Sequence, residues 1–283
     1  MNTKTPLFSI TLAACLLVLA ACSEPEQQSS TQAAPAASDA PSMGVNQNDI
    51  AGVVTGSNGP EAGVWVIAET DDLPTLYSKT VVTDENGRYL IPDLPAAEYD
   101  IWVRGYGLVD SEKVSGVPGQ SLDLNAVIAP DAAAAAAYYP AGHWYSLLEI
   151  PAKSEFPGTG PGGNGISPNI HKQADFIRRV SSGGCLACHQ LGNAAIRNIP
   201  NLFSGYDTST EAWNRRVRSG QAGGSMSRAL AGMGDRTLQM YADWTDRIAA
   251  GELPPVPERP SGLERNVVIT QWDWADPTAY LHD

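Results

Sequence analysis

The chain has 283 residues, with 18 Lys and Arg against 31 Asp and Glu, a formal charge of −13. That acidity excludes nucleic acid and anionic lipid surfaces as partners, and it can steer the chain toward a basic protein. The length leaves room for more than one domain, and only four cysteines are present.

Lys4 supplies a positive start, and Leu7 to Ala21 form an apolar stretch short for a membrane span. The stretch closes on Leu19-Ala20-Ala21-Cys22; an earlier Leu12-Ala13-Ala14-Cys15 has the same letters but leaves too little apolar chain. This run resembles a bacterial lipoprotein signal, with 1–21 as the signal peptide and Cys22 as the lipid-bearing first residue. Ser23 follows it, which by resemblance to lipoprotein sorting signals implies the outer membrane, facing the periplasm. The alternative is an uncleaved anchor. Residues 22–48 are rich in Gln, Ser, Ala and Pro and read as a disordered tether.

From 49 to 130 the texture changes to short runs rich in Val, Ile, Tyr and Trp. Strands are expected at Ile50 to Thr55, Gly63 to Ala68, Ser78 to Thr83, Arg88 to Ile91, Tyr99 to Arg104 and Ser121 to Ile128. Asn86-Gly87 predicts a two-residue hairpin between Val82 and Tyr89. Several such strands predict a small sandwich. The run Thr83-Asp84-Glu85-Asn86-Gly87-Arg88-Tyr89, then Leu94-Pro95 and Tyr99, resembles the carboxypeptidase regulatory-like family. The resemblance implies a transthyretin-like β-sandwich over 49–130, related in fold to starch-binding modules, and carries no catalytic residue. Trp65, Tyr89, Trp102 and Tyr106 are either core aromatics or a carbohydrate-contacting face.

Residues 131–169 read as a linker. In it Asp131 precedes Ala132 to Ala137, a short helix or spacer closed at Pro140. Pro157 to Gly165 is a glycine-rich loop with no Lys-Ser/Thr after it, hence no phosphate cradle. From about Ile170 the period turns helical, with Ala174, Ile177 and Val180 in one stripe and Phe176 flanking it. Thr208 to Glu211 is a capping-box pattern opening a helix through Trp213 and Val217. Asp235 is the expected cap of a last helix carrying Leu238, Tyr241, Trp244 and Ile248, and Met240 lies inside it.

Between these helices stands Cys185-Leu186-Ala187-Cys188-His189. Two thiols three positions apart with an imidazole directly after them form the attachment signature of one covalent haem c. Cys185 and Cys188 take the thioether links, and His189 is the proximal iron ligand. A zinc site wants a second ligand pair that is absent from the sequence, and a thioredoxin-like motif needs no histidine. Export agrees with haem attachment, because both belong to the outer side of the inner membrane. No cysteine is then left for a disulfide.

A helix, CxxCH, a proline loop, a methionine and a closing helix resemble the class I cytochrome c family over 170–255. The fold expected is therefore multidomain β + α, a transthyretin-like sandwich followed by an all-α cytochrome c-like domain. Asn198-Ile199-Pro200-Asn201-Leu202 is similar to the family's Gly-Pro-x-Leu segment, with Ile199 in place of Gly. The resemblance implies that the Pro200 carbonyl accepts from His189 Nδ1–H, fixing the ring. Met226, after a glycine-rich approach at 220–225, is the expected distal ligand. Met233, His171, His143 or an open site are the alternatives. Arg215, Arg216 and Arg218 read as a solvated helix face or as contacts for haem propionates or a partner.

Asn266 to Thr270 reads as a strand, followed by Trp272 and Trp274, in a C-terminal tail at 256–283. The arrangement is similar to the front of longer periplasmic proteins with a virginiamycin B lyase-like propeller, so the tail is a candidate start of a missing domain. The leading expectation is a lipid-anchored electron carrier serving a redox partner protein, not an enzyme. The alternatives are the electron-accepting N-terminal portion of a periplasmic dehydrogenase or lyase-like enzyme, and a carbohydrate-binding surface protein carrying a haem.

Overall fold

The computed structural model describes residues 44–181 and 184–273. Cys15, the lipidation candidate Cys22 and Trp274 lie outside them. The chain is a mixed β and α protein, strands first and helices after.

The strands are β1 (Ile50–Gly56), β2 (Gly59–Pro60), β3 (Trp65–Thr70), β4 (Leu76–Val82), β5 (Arg88–Ile91), β6 (Tyr99–Arg104), β7 (Leu108–Val109), β8 (Val114–Gly116), β9 (Leu124–Asn125) and β10 (Val127–Ile128). One sheet runs β2-β1-β5, with β9 parallel to β1. The larger sheet runs β4-β3-β6-β8 and gains a fifth strand, β11 (Ile269–Asp273), against the outer edge of β4. Alternation sets its inward face: Tyr99, Ile101 and Val103 of β6 are buried beside Val66 and Ala68 of β3. Ile50 and Val54 of β1 and Tyr89 and Ile91 of β5 meet them from the other sheet in one core. Burying each such side chain contributes about 1.5–3 kcal/mol.

The turn at Asn86-Gly87 is not a hairpin. It carries the chain from β4 in the large sheet to β5 in the small one. A two-residue hairpin turn of the expected type needs positive φ at both central residues. Only Gly87 has it, at +72°. The Asp84 carboxylate holds the turn instead, accepting from the backbone N–H of Asn86 (2.8 Å) and Arg88 (2.9 Å) and pairing with the Arg88 guanidinium. Residues 121–128, expected as one strand, divide into β9 and β10, which pair with different neighbours.

Among the described residues seven α-helices follow: α1 (Ala132–Ala137), α2 (Ala141–Tyr145), α3 (Gln173–Val180), α4 (Ala194–Arg197), α5 (Ser209–Arg216), α6 (Gly223–Ala231) and α7 (Arg236–Ala249). Asp131 caps α1, its carboxylate accepting from Ala134 N–H at 2.8 Å. The stretch read as a linker is built into the structure. Ala135, Ala136, Tyr139 and Trp144 form their own buried cluster, and Leu148 and Ile166 enter the helical core. On α3 the buried pair is Phe176 and Val180, four apart, while Ile177 points outward. Thr208 caps α5 as expected, but Asp235 makes no side-chain cap for α7. The expected tail also behaves differently: it returns to the β region and completes the large sheet as β11. Among the described residues no helix is long and apolar enough to cross a membrane.

Candidate functional site

The site begins where α3 ends. Its last turn folds back so tightly that a Cβ on Gly184 would lie 1.6 Å from the Arg179 carbonyl oxygen, so only glycine fits. A single 3₁₀ turn over Cys185–Ala187 follows. His189 N–H donates to the Cys185 carbonyl at 2.9 Å, which closes the pentapeptide on itself and puts the imidazole one turn from the first thiol. Cys185 is half-buried and Cys188 exposed, and both are free thiols.

These three residues open on a cleft of about 370 Å³ walled mainly by apolar side chains from α5, α6 and α7. Met226 on α6 and Met233, buried just beyond it, both line this cleft, together with Leu230, Trp213 and Tyr241. The glycine-rich approach to Met226 is thus partly helix, since α6 begins at Gly223. His171 and His143 are not among the lining residues. His143 instead stacks edge-on against Tyr106 and Tyr139. Met240 is buried in the core of α7, away from the cleft.

Helix α7 forms the back wall. Tyr241 stacks on Trp213 with ring centroids 5.0 Å apart, and its hydroxyl donates to Cys185 Sγ at 3.3 Å. Burial, and then the neighbouring Cys185, hold the Tyr241 hydroxyl well above the ordinary phenol pKa. The Trp213 indole N–H donates to Thr245 Oγ1 at 3.1 Å, and that of Trp244 to the Trp144 carbonyl at 3.1 Å. These bonds tie the wall to α5 and α2.

Two polar features stand out against the apolar lining. His189 Nδ1 is buried without a hydrogen-bond partner among the described residues. The bond expected from it to the Pro200 carbonyl is not formed; that oxygen accepts Phe203 N–H at 2.8 Å. An orphaned buried donor of this kind costs about 1–3 kcal/mol unless something satisfies it. The second feature is Arg216. Arg215 and Arg218 are exposed, but Arg216 turns into the cleft over the Trp213 ring, 4.8 Å from its centroid. It donates to the carbonyls of Ala195, Ile196 (3.1 Å) and Asn198 (2.9 Å), and burial pushes its pKa down. Reading the three arginines as one solvated face missed this. The signal was the i, i+3 spacing of Trp213 and Arg216, which puts guanidinium and ring on one side of α5.

The donor set tests whether a haem would fit. Two thiols, an adjacent imidazole and two thioethers around one apolar cleft make a soft, largely water-excluding environment of the kind iron porphyrin requires. Among the described residues no three Cys, His, Asp or Glu side chains group as a metal-holding cluster. The residues present fit a flat apolar group better than a tetrahedral ion.

The four aromatics, read either as core or as a carbohydrate-contacting face, do not share one face. Tyr89 is in the core, its hydroxyl bonded to the Leu122 carbonyl at 2.7 Å. Trp102 is 7% exposed beneath the Lys113 ammonium. Trp65 and Tyr106 alone line a common cleft.

No family model and no curated protein matches the sequence. Among solved structures the chain is similar to two titled as cohesin–X-dockerin complexes of type II from Acetivibrio cellulolyticus, a C-terminal and an N-terminal interface mutant. The first shows 20% identity over 29% of this chain and 58% of that chain, with a TM-score of 0.22. The second shows 14% identity over 44% of this chain and 84% of that one, with a TM-score of 0.24. The chain thus spans little more than half of the first, and scores this low carry no argument about fold or partner.

Proposed function

We propose that the chain is a lipid-anchored c-type cytochrome of the bacterial cell envelope, passing single electrons to a redox partner protein on the periplasmic side. One observation carries the reading: Cys185, Cys188 and His189 line the same apolar cleft as Met226 and Met233. Haem c would be held there by the two cysteine sulfurs, with His189 and one of the two methionines available as donors to its iron. When bound it supplies a one-electron couple.

The chain's own residues set the conditions for that couple. Leu191, Val217 and Leu230 give the cleft an apolar lining, which would favour the less charged oxidation state of a group bound there. A thioether ligand does the same, so a His/Met pair holds a higher potential than two imidazoles. Arg216 brings a desolvated positive charge to the rim, suited to a carboxylate on the bound group. The Tyr241 hydroxyl stays protonated and orients Cys185 Sγ. In this reading 49–130 is a transthyretin-like sandwich serving as spacer and docking surface. Residues 170–255 are the cytochrome c-like domain, with 1–21 removed and Cys22 lipidated.

The test is the mature protein from an exporting host that attaches haem. Intact mass is expected to show one added porphyrin, and the pyridine haemochrome spectrum two thioether links. A mature mass without the added group overturns the proposal. Met226→Ala and Met233→Ala then divide the distal ligand, since only one of them is expected to remove the sulfur-to-iron absorption band.

A further inference from the structure

The second aromatic cleft lies on the β region, where the outward face of β3 and β4 meets the C-terminal segment. It measures about 280 Å³, at the small end for ligand pockets, so it suits a head group more than a drug-sized molecule. Trp65 and Tyr106 stand at 84° to each other with centroids 4.8 Å apart, forming two walls of a corner. Val82, Val267 and Ile269 complete an apolar lining, and Glu258 and Glu264 supply the charge. Among the described residues no basic side chain lines it.

The nearby cations are already engaged. Arg259 pairs with Glu61 at 2.6 Å and donates to the Tyr106 carbonyl, and Arg265 pairs with Glu85 at 2.6 Å. Glu264 accepts from Ser261 N–H through one oxygen, while Glu258 is exposed and has no ion pair among the described residues. Three other indoles each carry a cation from the chain itself: Trp102 has Lys113, Trp144 has Arg197 and Trp213 has Arg216. Among the described residues Trp65 has none, and it shares its cleft with two carboxylates.

We propose that this cleft binds an organic ammonium group, its charge set against the Trp65 and Tyr106 rings and neutralised by Glu258 and Glu264. A ring quadrupole attracts a cation most strongly once water is displaced, and carboxylates at the rim add attraction while repelling anions. The chemistry admits two sources, a small quaternary ammonium compound or a lysine side chain of a basic protein. The proposal is independent of the haem.

The test titrates the full mature chain, at fixed ionic strength, with choline chloride and separately with n-butylammonium chloride. The uncharged isostere 3,3-dimethylbutan-1-ol is the control. The readout is the Trp65 indole N–H resonance, assigned through Trp65→Phe. At least one cation is expected to shift it saturably, with a dissociation constant of about 1 mM as befits one small contact, and the alcohol is expected not to. Choline alone binding points to a small-molecule source, n-butylammonium alone to a lysine side chain, and both binding supports the shared chemistry. Glu258→Gln, at an exposed position, is expected to weaken binding about two- to five-fold, with the loss of one exposed charge contact. Trp65→Ala is expected to weaken it about ten-fold, while Trp65→Phe, read on the other shifted resonances, keeps most of it. Equal shifts from the alcohol and the cations, no shift from either cation, or unchanged binding in Glu258→Gln and Trp65→Ala overturns the proposal.

Discussion

The β region and the helical region each bury a continuous core, yet they satisfy themselves to different degrees. In the β region Tyr89 and Tyr99 are buried, and both hydroxyls donate to carbonyls of the same region, Leu122 and Pro95. In the helical region the core stops at a cleft that holds free thiols, an orphaned His189 Nδ1 and a desolvated Arg216. Among the described residues the β region leaves one buried side-chain polar atom without a partner, Trp102 Nε1, against three in the helical region, so it is the cleft that sets the two apart. The difference separates a helical region with an open cleft and unsatisfied groups from a β region whose core is closed on itself.

The strongest break of this comparison is Cys185→Ser with Cys188→Ser. On the proposed reading the exported protein loses all covalent haem by mass, and its helical region loses the stabilisation that a bound group contributes. The β region is expected to keep its own protection against amide hydrogen exchange. Equal loss of protection in both regions would mean that the two do not differ in self-sufficiency.

Next in size is a matched pair of truncations. Ile101→Ala removes a fully buried side chain from a closed core and is expected to cost about 2–5 kcal/mol in urea unfolding. Leu230→Ala removes atoms that already face open space, so in the haem-free protein its cost is expected to fall below about 2 kcal/mol. After haem attachment that cost is expected to rise toward the Ile101 value. Equal costs in the haem-free protein would show that the cleft is no gap in the packing.

The sequence made the two regions legible to different depths. Strands β5 and β6 match their expected bounds because alternation of Tyr99, Ile101 and Val103 fixes one inward face. Asn86-Gly87 misled because local turn chemistry does not say whether the flanking strands share a sheet; the Asp84 carboxylate decided it. In the helical region Cys185, Cys188 and His189 lie on one cleft, because their close spacing holds them on a single turn. The buried face of α3 was misread by one position, because Phe176 outweighs Ala174 in buried area. Tyr241 was out of reach as a site residue, because its role depends on a partner 56 positions away in the chain, whereas the spacing of Trp213 and Arg216 already put that guanidinium beside the ring.

Acid separates the regions at a smaller scale. Burial disfavours the Asp84 charge, but bonds from the Arg88 side chain and from the Arg88 and Asn86 N–H groups outweigh it and hold the carboxyl below its ordinary value. A lowered folded pKa stabilises above the unfolded value near 4 and fades as pH falls through the folded one. Asp84→Asn is therefore expected to cost about 1–2 kcal/mol at pH 7 and progressively less below pH 4. Parallel curves for variant and parent down to about pH 2 would remove Asp84 as an acid-sensitive contact of the β region.

The smallest contrast comes from deleting one hydroxyl in each region. Tyr89→Phe leaves the part-buried Leu122 carbonyl without its 2.7 Å donor, a loss of about 1 kcal/mol in urea midpoint analysis. Tyr241→Phe removes a 3.3 Å bond to sulfur, a weak acceptor, and the stacking on Trp213 stays. Its cost in the haem-free protein is expected to be below about 0.5 kcal/mol, within the spread of neutral substitutions. On the proposed reading Cys185 carries a thioether and the hydroxyl acts on a sulfur of the bound group, so the same variant is expected to change the haem potential where Tyr89→Phe leaves it unmoved. A potential unchanged in both variants would confine Tyr241 to packing and leave the orientation of Cys185 to the turn that begins at Gly184.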